Sequence, residues 1–274
     1  NEIIAKGYGE PQNAKEFAEL AQWVNYDGHR SLFESRSQNR KGLLMWMSHS
    51  CWPSMVWQTY DYYFEPTAAY FAIKKASEPL HIQWNPATDE VEVVNYSAGT
   101  HKGLTAKVQV LNMDASVAWE KEATVDSNED TTDKCIKLEF PENLSKVHFI
   151  KMTLTEDGKV VSDNFYHRSL EENNYQDLCQ LAKVALQSAT TVDKNADGTW
   201  SAVSVIENKT STPALMIRLN VVDGKDDQQI LPVFYSDNYF SLLPGEKKEV
   251  RMSWRDEDTR GNEGKVLITG YNVE

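Results

Sequence analysis

The sequence is short of three things: cysteine, positive charge and unbroken apolar stretches. It has 3 cysteines among 274 residues. Cys51, Cys135 and Cys179 are odd in number and widely spaced, which suits neither a disulfide framework nor a zinc knuckle. They read as small buried or half-buried hydrophobic residues. Lys and Arg number 28 against 41 Asp and Glu, a net charge of −13. That balance argues against a nucleic-acid backbone as partner, because phosphate binding needs clustered cations. No window approaches the ~18 uninterrupted apolar residues of a membrane helix, so no membrane span is expected. There is no Gly-rich phosphate loop and no Gly-x-Ser-x-Gly elbow. No second His or Cys stands at metal spacing from His49, so neither a metal nor any other cofactor is expected. Residue 1 is Asn, and no basic stretch followed by an apolar run opens the chain. The reading is that a segment was removed upstream or that the chain starts inside a longer polypeptide.

What is present is a folded composition: 41% apolar and 25% charged residues, ordinary for a globular protein. The length would suit a single (β/α)8 barrel of roughly 250 residues, but the order of residues does not. Residues 1–80 hold 14 of the 29 aromatics and carry a charge of only −1, whereas 81–173 carry −8 and 174–274 carry −4. An aromatic, nearly neutral front therefore precedes two acidic sections.

The front reads as helix, strand, helix. Over 13–37, Phe17, Leu20, Ala21, Val24, Leu32 and Phe33 recur at roughly helical spacing, with Asn13 as N-cap and Glu16 three residues on. After Gly42, the run Leu43 to Met47 predicts a short strand buried on both faces, which Pro53 cannot continue. A second helix is predicted over about 66–77. From residue 81 the period becomes two, at 81–84, 90–94, 106–111 and 147–152. After a helical or irregular linker near 170–186 it returns at 200–206, 214–222, 250–254 and 265–271. Short strands at this spacing, in sections of about 90–100 residues, predict two immunoglobulin-like sandwiches.

The densest motif is Trp46-Met47-Ser48-His49-Ser50-Cys51-Trp52-Pro53-Ser54, continuing to Trp57 and Tyr60-Asp61-Tyr62-Tyr63. A buried strand that ends in Trp and opens into small polar residues delivers a platform for a sugar, whose C–H faces stack on indole while its hydroxyls seek polar partners. Packing of large aromatics under a loop is the equal alternative. Trp46, His49, Ser50 and Trp52 are the candidate substrate-binding residues. Asp193 to Thr199 resembles half a calcium loop, but position twelve is Ser204 rather than Glu, so a polar turn between strands is the reading. His29, His101, His148 and His167 are scattered and read as structural or exposed. Trp119, Trp200 and Trp254 each read as core residues. Asn95, Asn143 and Asn208 match the glycosylation pattern at near-chance frequency.

Glycoside cleavage needs two carboxyl groups flanking the scissile bond. The front section offers Glu2, Glu10, Glu16, Glu19, Asp27, Glu34, Asp61, Glu65 and Glu78, mostly where a solvated face is the default. Asp61, set among tyrosines, is the one expected to be partly buried, as a loop cap.

Residues 42–84, GLLMWMSHSCWPSMVWQTYDYYFEPTAAYFAIKKASEPLHIQW, resemble the last strand, last helix and exit of the catalytic barrel in glycoside hydrolase family 2. GYGEP (7–11) and AQWVNYDGHRSLFES (21–35) resemble the helix before that strand. SDNFYHRS (162–169) and LPVFYSDNYFSLLPGEKKEV (231–250) resemble the two sandwiches that follow. The resemblance is to the exo-β-D-glucosaminidase branch, with β-mannosidases and plant endo-β-mannosidases as relatives. It implies a multidomain chain: the C-terminal portion of a (β/α)8 barrel over 1–80, then all-β immunoglobulin-like sandwiches over 81–173 and 174–274. It implies a retaining mechanism whose two carboxylates lie before residue 1, so this chain is expected to be inactive alone. It also implies an oligosaccharide substrate, the N-terminal part of the same polypeptide as partner, and a periplasmic or secreted location. Trp46 matches the Trp that walls the sugar subsite. At 49–50 the branch usually has Asn-Asn where this sequence has His-Ser, which leaves a β-mannoside open beside a β-glucosaminide. A carbohydrate-binding or purely structural sandwich module, without chemistry, is the competing reading.

Overall fold

The computed structural model describes residues 2–35, 42–55 and 57–274. Three helices open the chain: α1 (Glu2–Tyr8), α2 (Ala14–Glu34) and α3 (Ala68–Ala76). The helices predicted over 13–37 and 66–77 are α2 and α3; residues 36 and 37 lie outside the described residues. Along α2 the buried side chains Leu20, Trp23, Arg30, Phe33 and Glu34 recur at the spacing of one helical face. The strand predicted over 43–47 does not form. Leu44 is fully exposed and Trp46 is 79% exposed. An apolar run becomes a buried strand only with ladder partners on either side, and among the described residues this stretch has none.

Two compact units divide the chain, one of residues 1–14, 28–44 and 72–180, the other of 15–27, 45–71 and 181–274. Residues 1–80 thus contribute to both.

The first unit contains an antiparallel sandwich. One sheet has the order β1-β2-β5, from Leu80–Asn85, Glu90–Asn95 and Thr131–Lys137. The other has the order β4-β3-β6-β7, from Val117–Ser127, His101–Asn112, Val147–Glu156 and Lys159–Ser169. The inward residues form one core, with Ile82, Val91 and Val93 of the first sheet and Leu104, Val108, Val110, Ile150, Met152 and Leu154 of the second. The period-two runs predicted this face directly. Asn95 is buried, and its amide donates to the Gly99 carbonyl at 2.7 Å.

The second unit contains another sandwich. Its sheets have the orders β11-β13-β9-β8 and β12-β10-β14. The strands are β8 (Gln187–Lys194), β9 (Thr199–Glu207), β10 (Ala214–Asp223), β11 (Phe234–Tyr235), β12 (Phe240–Leu242), β13 (Lys247–Arg255) and β14 (Gly264–Thr269). Ile206, Ile217, Leu219, Val250 and Trp254 fill its core. Gly264 lies against the Trp254 indole: a Cβ there would stand 2.7 Å from Cζ2. Trp200 stacks near-parallel to Trp254, with ring centroids 6.4 Å apart. These two tryptophans, and Trp119 against the first core, occupy the packing roles expected of them. The Asp193–Thr199 stretch is a polar hairpin turn, in which Asp197 Oδ1 accepts from the Thr199 amide and hydroxyl at 3.0 and 2.6 Å. Asn208 is buried, donating to the Thr212 and Leu242 carbonyls.

Within the first unit the end of α2 is held by a buried polar network. The Glu34 side chain is 7% exposed, and its Oε1 accepts from Asn164 at 2.8 Å and Tyr166 at 2.9 Å. The wholly buried His81 places Nε2 3.1 Å from Glu34 and Nδ1 3.2 Å from Glu78. Glu78 also takes Lys75 at 2.8 Å and the Ser162 hydroxyl at 2.7 Å. Arg30 lies over the Tyr166 ring, its guanidinium carbon 4.0 Å from the centroid. Complete burial alone would push the His81 imidazole down, but the two carboxylates outweigh it and hold it above its ordinary value. Burial pushes Glu78 up, and His81 and Lys75 more than reverse this.

The sign of the pH dependence follows. His81 contributes fully below its unfolded-chain pKa of ~6.5, and the contribution is lost as pH rises through the raised folded-state value. Glu78 contributes fully above ~4.3 and loses its contribution as pH falls through its depressed value. We expect the urea midpoint of this unit to fall as pH rises beyond neutrality. In His81→Gln that alkaline fall should be smaller, with His101, raised by Glu156, supplying what remains, and stability at pH 6 should be lower by about 3 kcal/mol. Parallel alkaline limbs in the two proteins would remove His81 from the account.

Candidate functional site

The aromatic segment 45–66 belongs to the second unit and is held by turns rather than by a sheet. Tyr60 makes isolated bridges with His49 and with Pro66, and its amide donates to the Ser48 carbonyl at 3.0 Å. The Thr59 hydroxyl donates to the same carbonyl at 2.9 Å, and the Thr67 hydroxyl to that of Gln58 at 2.8 Å. Asp61 closes the turn, with Oδ1 accepting from the Tyr63 and Glu65 amides at 2.8 and 2.9 Å. Burial raises its carboxyl, opposed by those amides. Asp61 is therefore the half-buried loop cap that was expected.

The four candidate residues fall into two pairs. Trp46 and Trp52 present their rings to solvent, 79% and 68% exposed. His49 and Ser50 are built into the turn. The His49 ring stacks on Phe64 at 4.5 Å and 16°, and its Nε2 lies 3.3 Å from the Tyr62 carbonyl. Ser50 is buried and donates to the Gln58 side chain. Its proton is committed, which leaves only the lone pairs of its oxygen for anything else.

A cleft of about 510 Å³ opens beside His49, lined on one side by Ser48, Tyr60, Phe64 and Tyr70 and on the other by residues 232–235. Behind it Phe71, Ala68 and Tyr239 form a small buried cluster with Tyr70 and Tyr235 packed against it. The segment is tethered by Glu65, which pairs with Arg218 and accepts from the Gln229 amide at 2.9 Å. Glu65 and Arg218 are 18% and 27% exposed.

Sequence reasoning gave Glu34, Glu65 and Glu78 a solvated face. The structure corrects all three, because each has a basic or polar partner far along the chain or on a buried strand that no local pattern announces. It also missed Arg218, which stands on the mostly apolar strand β10. The cysteine expectation is corrected as well: Cys51, on a bend, and Cys179, in the short 3-10 helix Gln176–Gln180, are exposed, and only Cys135 is half-buried. Burial pushes the Cys135 thiol up to about 12. His101, His148 and His167 are structural, bonded to Glu156, Arg168 and Tyr8 respectively. Among the described residues no cluster of three or more His, Cys, Asp or Glu is gathered as a metal site. No described helix is long and apolar enough to cross a membrane.

Two families match the sandwiches. Residues 89–169 match the mannosidase Ig/CBM-like domain, and residues 164–273 match the exo-β-D-glucosaminidase Ig-fold domain. The exo-β-D-glucosaminidase of Amycolatopsis orientalis is 32% identical over 303 residues, covering 99% of this chain and 29% of that protein. That of Streptomyces avermitilis is 31% identical over 98% of this chain and 33% of its own length. The mannosylglycoprotein endo-β-mannosidase of Lilium longiflorum is 26% identical over 97% of this chain. The crystal structure of the Amycolatopsis orientalis exo-chitosanase superposes with a TM-score of 0.94 at 29% identity, covering 99% of this chain and 35% of that one. The chain spans about a third of the length of these curated relatives.

Removing Glu65 leaves the largely buried Arg218 without its carboxylate. Glu65→Ala is expected to cost about 3 kcal/mol in urea unfolding, and Glu65→Leu with Arg218→Met to recover most of that loss. A loss under ~0.5 kcal/mol would mean that the tether is no stronger than a surface pair.

Proposed function

We propose that this chain, which is related over its whole length to the exo-β-D-glucosaminidases of glycoside hydrolase family 2, is the C-terminal part of a retaining exo-glycosidase. The parent enzyme removes terminal β-linked glucosamine, or mannose, from oligosaccharides in a periplasmic or secreted setting. The observation that carries this reading is the similarity to exo-β-D-glucosaminidases across 98–99% of the chain. In the proposed arrangement residues 1–80 supply the last quarter of a (β/α)8 barrel, and segment 42–47 gains its ladder partners from the earlier strands. Such sites sit at the C-terminal ends of barrel strands, the position of Trp46.

The chemistry of the reading divides between this chain and the rest of the enzyme. Retaining hydrolysis needs a general acid/base and a carboxylate nucleophile about 5 Å apart. Here Asp61 caps a turn, Glu65 holds Arg218, and Glu34 and Glu78 hold His81. None of these four is free to serve as one of the pair, and the reading assigns both catalytic groups to the remainder of the polypeptide. What this chain supplies is binding. The exposed indoles of Trp46 and Trp52 stack on the C–H faces of sugar rings, His49 offers a ring nitrogen to a hydroxyl, and Ser50 stiffens the turn that carries His49. His-Ser at 49–50 removes two amide side chains that the glucosaminidase branch usually places there, and so keeps a β-mannoside in view. The competing module reading relied on exposed aromatics across a sandwich face. Trp119, Trp200 and Trp254 pack against cores instead.

The 274-residue chain should show no turnover of an aryl β-glucosaminide or β-mannoside, whereas the longer polypeptide should hydrolyse one of them. In that longer enzyme Trp46→Ala should lower kcat/KM by at least about tenfold, as expected for loss of ~1.4 kcal/mol or more of transition-state binding. Turnover by the chain alone would overturn the division of chemistry. An unchanged kcat/KM would leave Trp46 a structural residue.

A further inference from the structure

The cleft beside His49 has a second wall that the reading above does not use. Residues 232–235 of the C-terminal sandwich form it. Strand alternation sets their directions. Val233 is buried in the sandwich core. Tyr235 turns inward too, with its hydroxyl accepting from the Val221 amide at 3.2 Å and its ring 6.2 Å from that of Phe71. Phe234 between them points outward and is 70% exposed. It is thus an exposed aromatic ring between a buried and a partly buried neighbour, on a strand only two residues long.

The facing wall is equally aromatic: Tyr60, Phe64 and Tyr70, with the His49 ring stacked on Phe64. Among the described residues no Asp, Glu, Lys or Arg lines the cleft. A phosphate or carboxylate ligand would find no guanidinium or ammonium partner among them. A sugar finds both things it needs, ring faces for its C–H groups and hydroxyl or imidazole groups for its oxygens. The volume of about 510 Å³ lies in the range that encloses a small organic ligand.

We propose that this cleft is a saccharide subsite with Phe234 as its stacking platform, so that the C-terminal sandwich takes part directly in glycan binding. The class of ligand, a β-linked hexose oligomer, rests on the glycosidase reading above; the site itself rests on the cleft.

The test uses the 274-residue chain and needs no turnover. The chain is titrated with β-1,4-linked glucosamine tetramer and, separately, with β-1,4-linked mannotetraose, with binding followed by NMR shifts of the chain. One of the two should bind with a Kd of ~1 mM. Phe234→Ala should weaken that binding about fivefold or more, and Phe234→Tyr should retain it. Phe234 is exposed, so the alanine variant should keep the wild-type melting temperature. Binding of neither saccharide, or equal binding by a folded Phe234→Ala variant, would overturn the subsite. Because hydrolysis by the longer polypeptide is measured separately, failure of this subsite and failure of the glycosidase reading give different results.

Discussion

The ion pair of Glu65 with Arg218 is the constraint on which the aromatic segment depends. Among its described residues segment 45–66 joins no sheet, and its internal bonds run from turn to turn: Tyr60 to Ser48, Thr67 to Gln58, and the amides of Tyr63 and Glu65 to Asp61. Such bonds fix the local shape of a loop but not its place on the molecule. Glu65 supplies the place, because its partners Arg218 and Gln229 lie far along the chain, on and beside a central strand of the C-terminal sandwich. If the carboxylate is removed, Arg218 is left largely buried beside the Tyr239 ring. A pair of this kind is a poor source of net stability but a strong penalty against alternative positions. It therefore acts by specifying where the loop sits, and the His49 cleft inherits that definition.

The same logic governs the other carboxylates of the front section. Glu34 is spent on His81, Asn164 and Tyr166, and Glu78 on His81, Lys75 and Ser162. A catalytic carboxyl needs an open face toward substrate and a pKa matched to its task. Glu34 instead has an oxygen with three donors around it. Two carboxylates of the front section are thus spent in joining helices to strands.

The sandwiches were legible because alternation is a local signal. The runs at 106–111 and 200–206 and the middle of 214–222 show the burial pattern that period two implies, whereas 81–84, 90–94 and 147–152 are buried at almost every position. Strands β4 and β8 were not legible, since β8 is exposed along nearly its whole length and has no apolar face to announce it. The run 43–47 failed for the opposite reason: it is apolar, but hydrophobicity alone does not supply ladder partners. Of the site, the residues close in sequence could be read, among them His49 and the capping Asp61. The pairs Glu34 with His81 and Glu65 with Arg218 join residues 47 and 153 positions apart, and no spacing rule reaches that far. Ser50 was readable as a small polar residue but not as one whose proton is committed to Gln58.

The distribution of exposed aromatics separates binding from scaffolding. A sandwich that served only as a spacer would treat all its large rings as it treats Trp200 and Trp254, stacked on each other against the core. Phe234 departs from that pattern on the same sheet, since β11 pairs with β13, the strand that carries Trp254. Exposing one ring of a sandwich is unremarkable in itself. Exposing it across a cleft that no described Asp, Glu, Lys or Arg lines, facing Tyr60, Phe64 and Tyr70, is a geometry that packing does not require. Scaffolding accounts for Val233 and Tyr235, and the proposed subsite gives a reason for the ring between them.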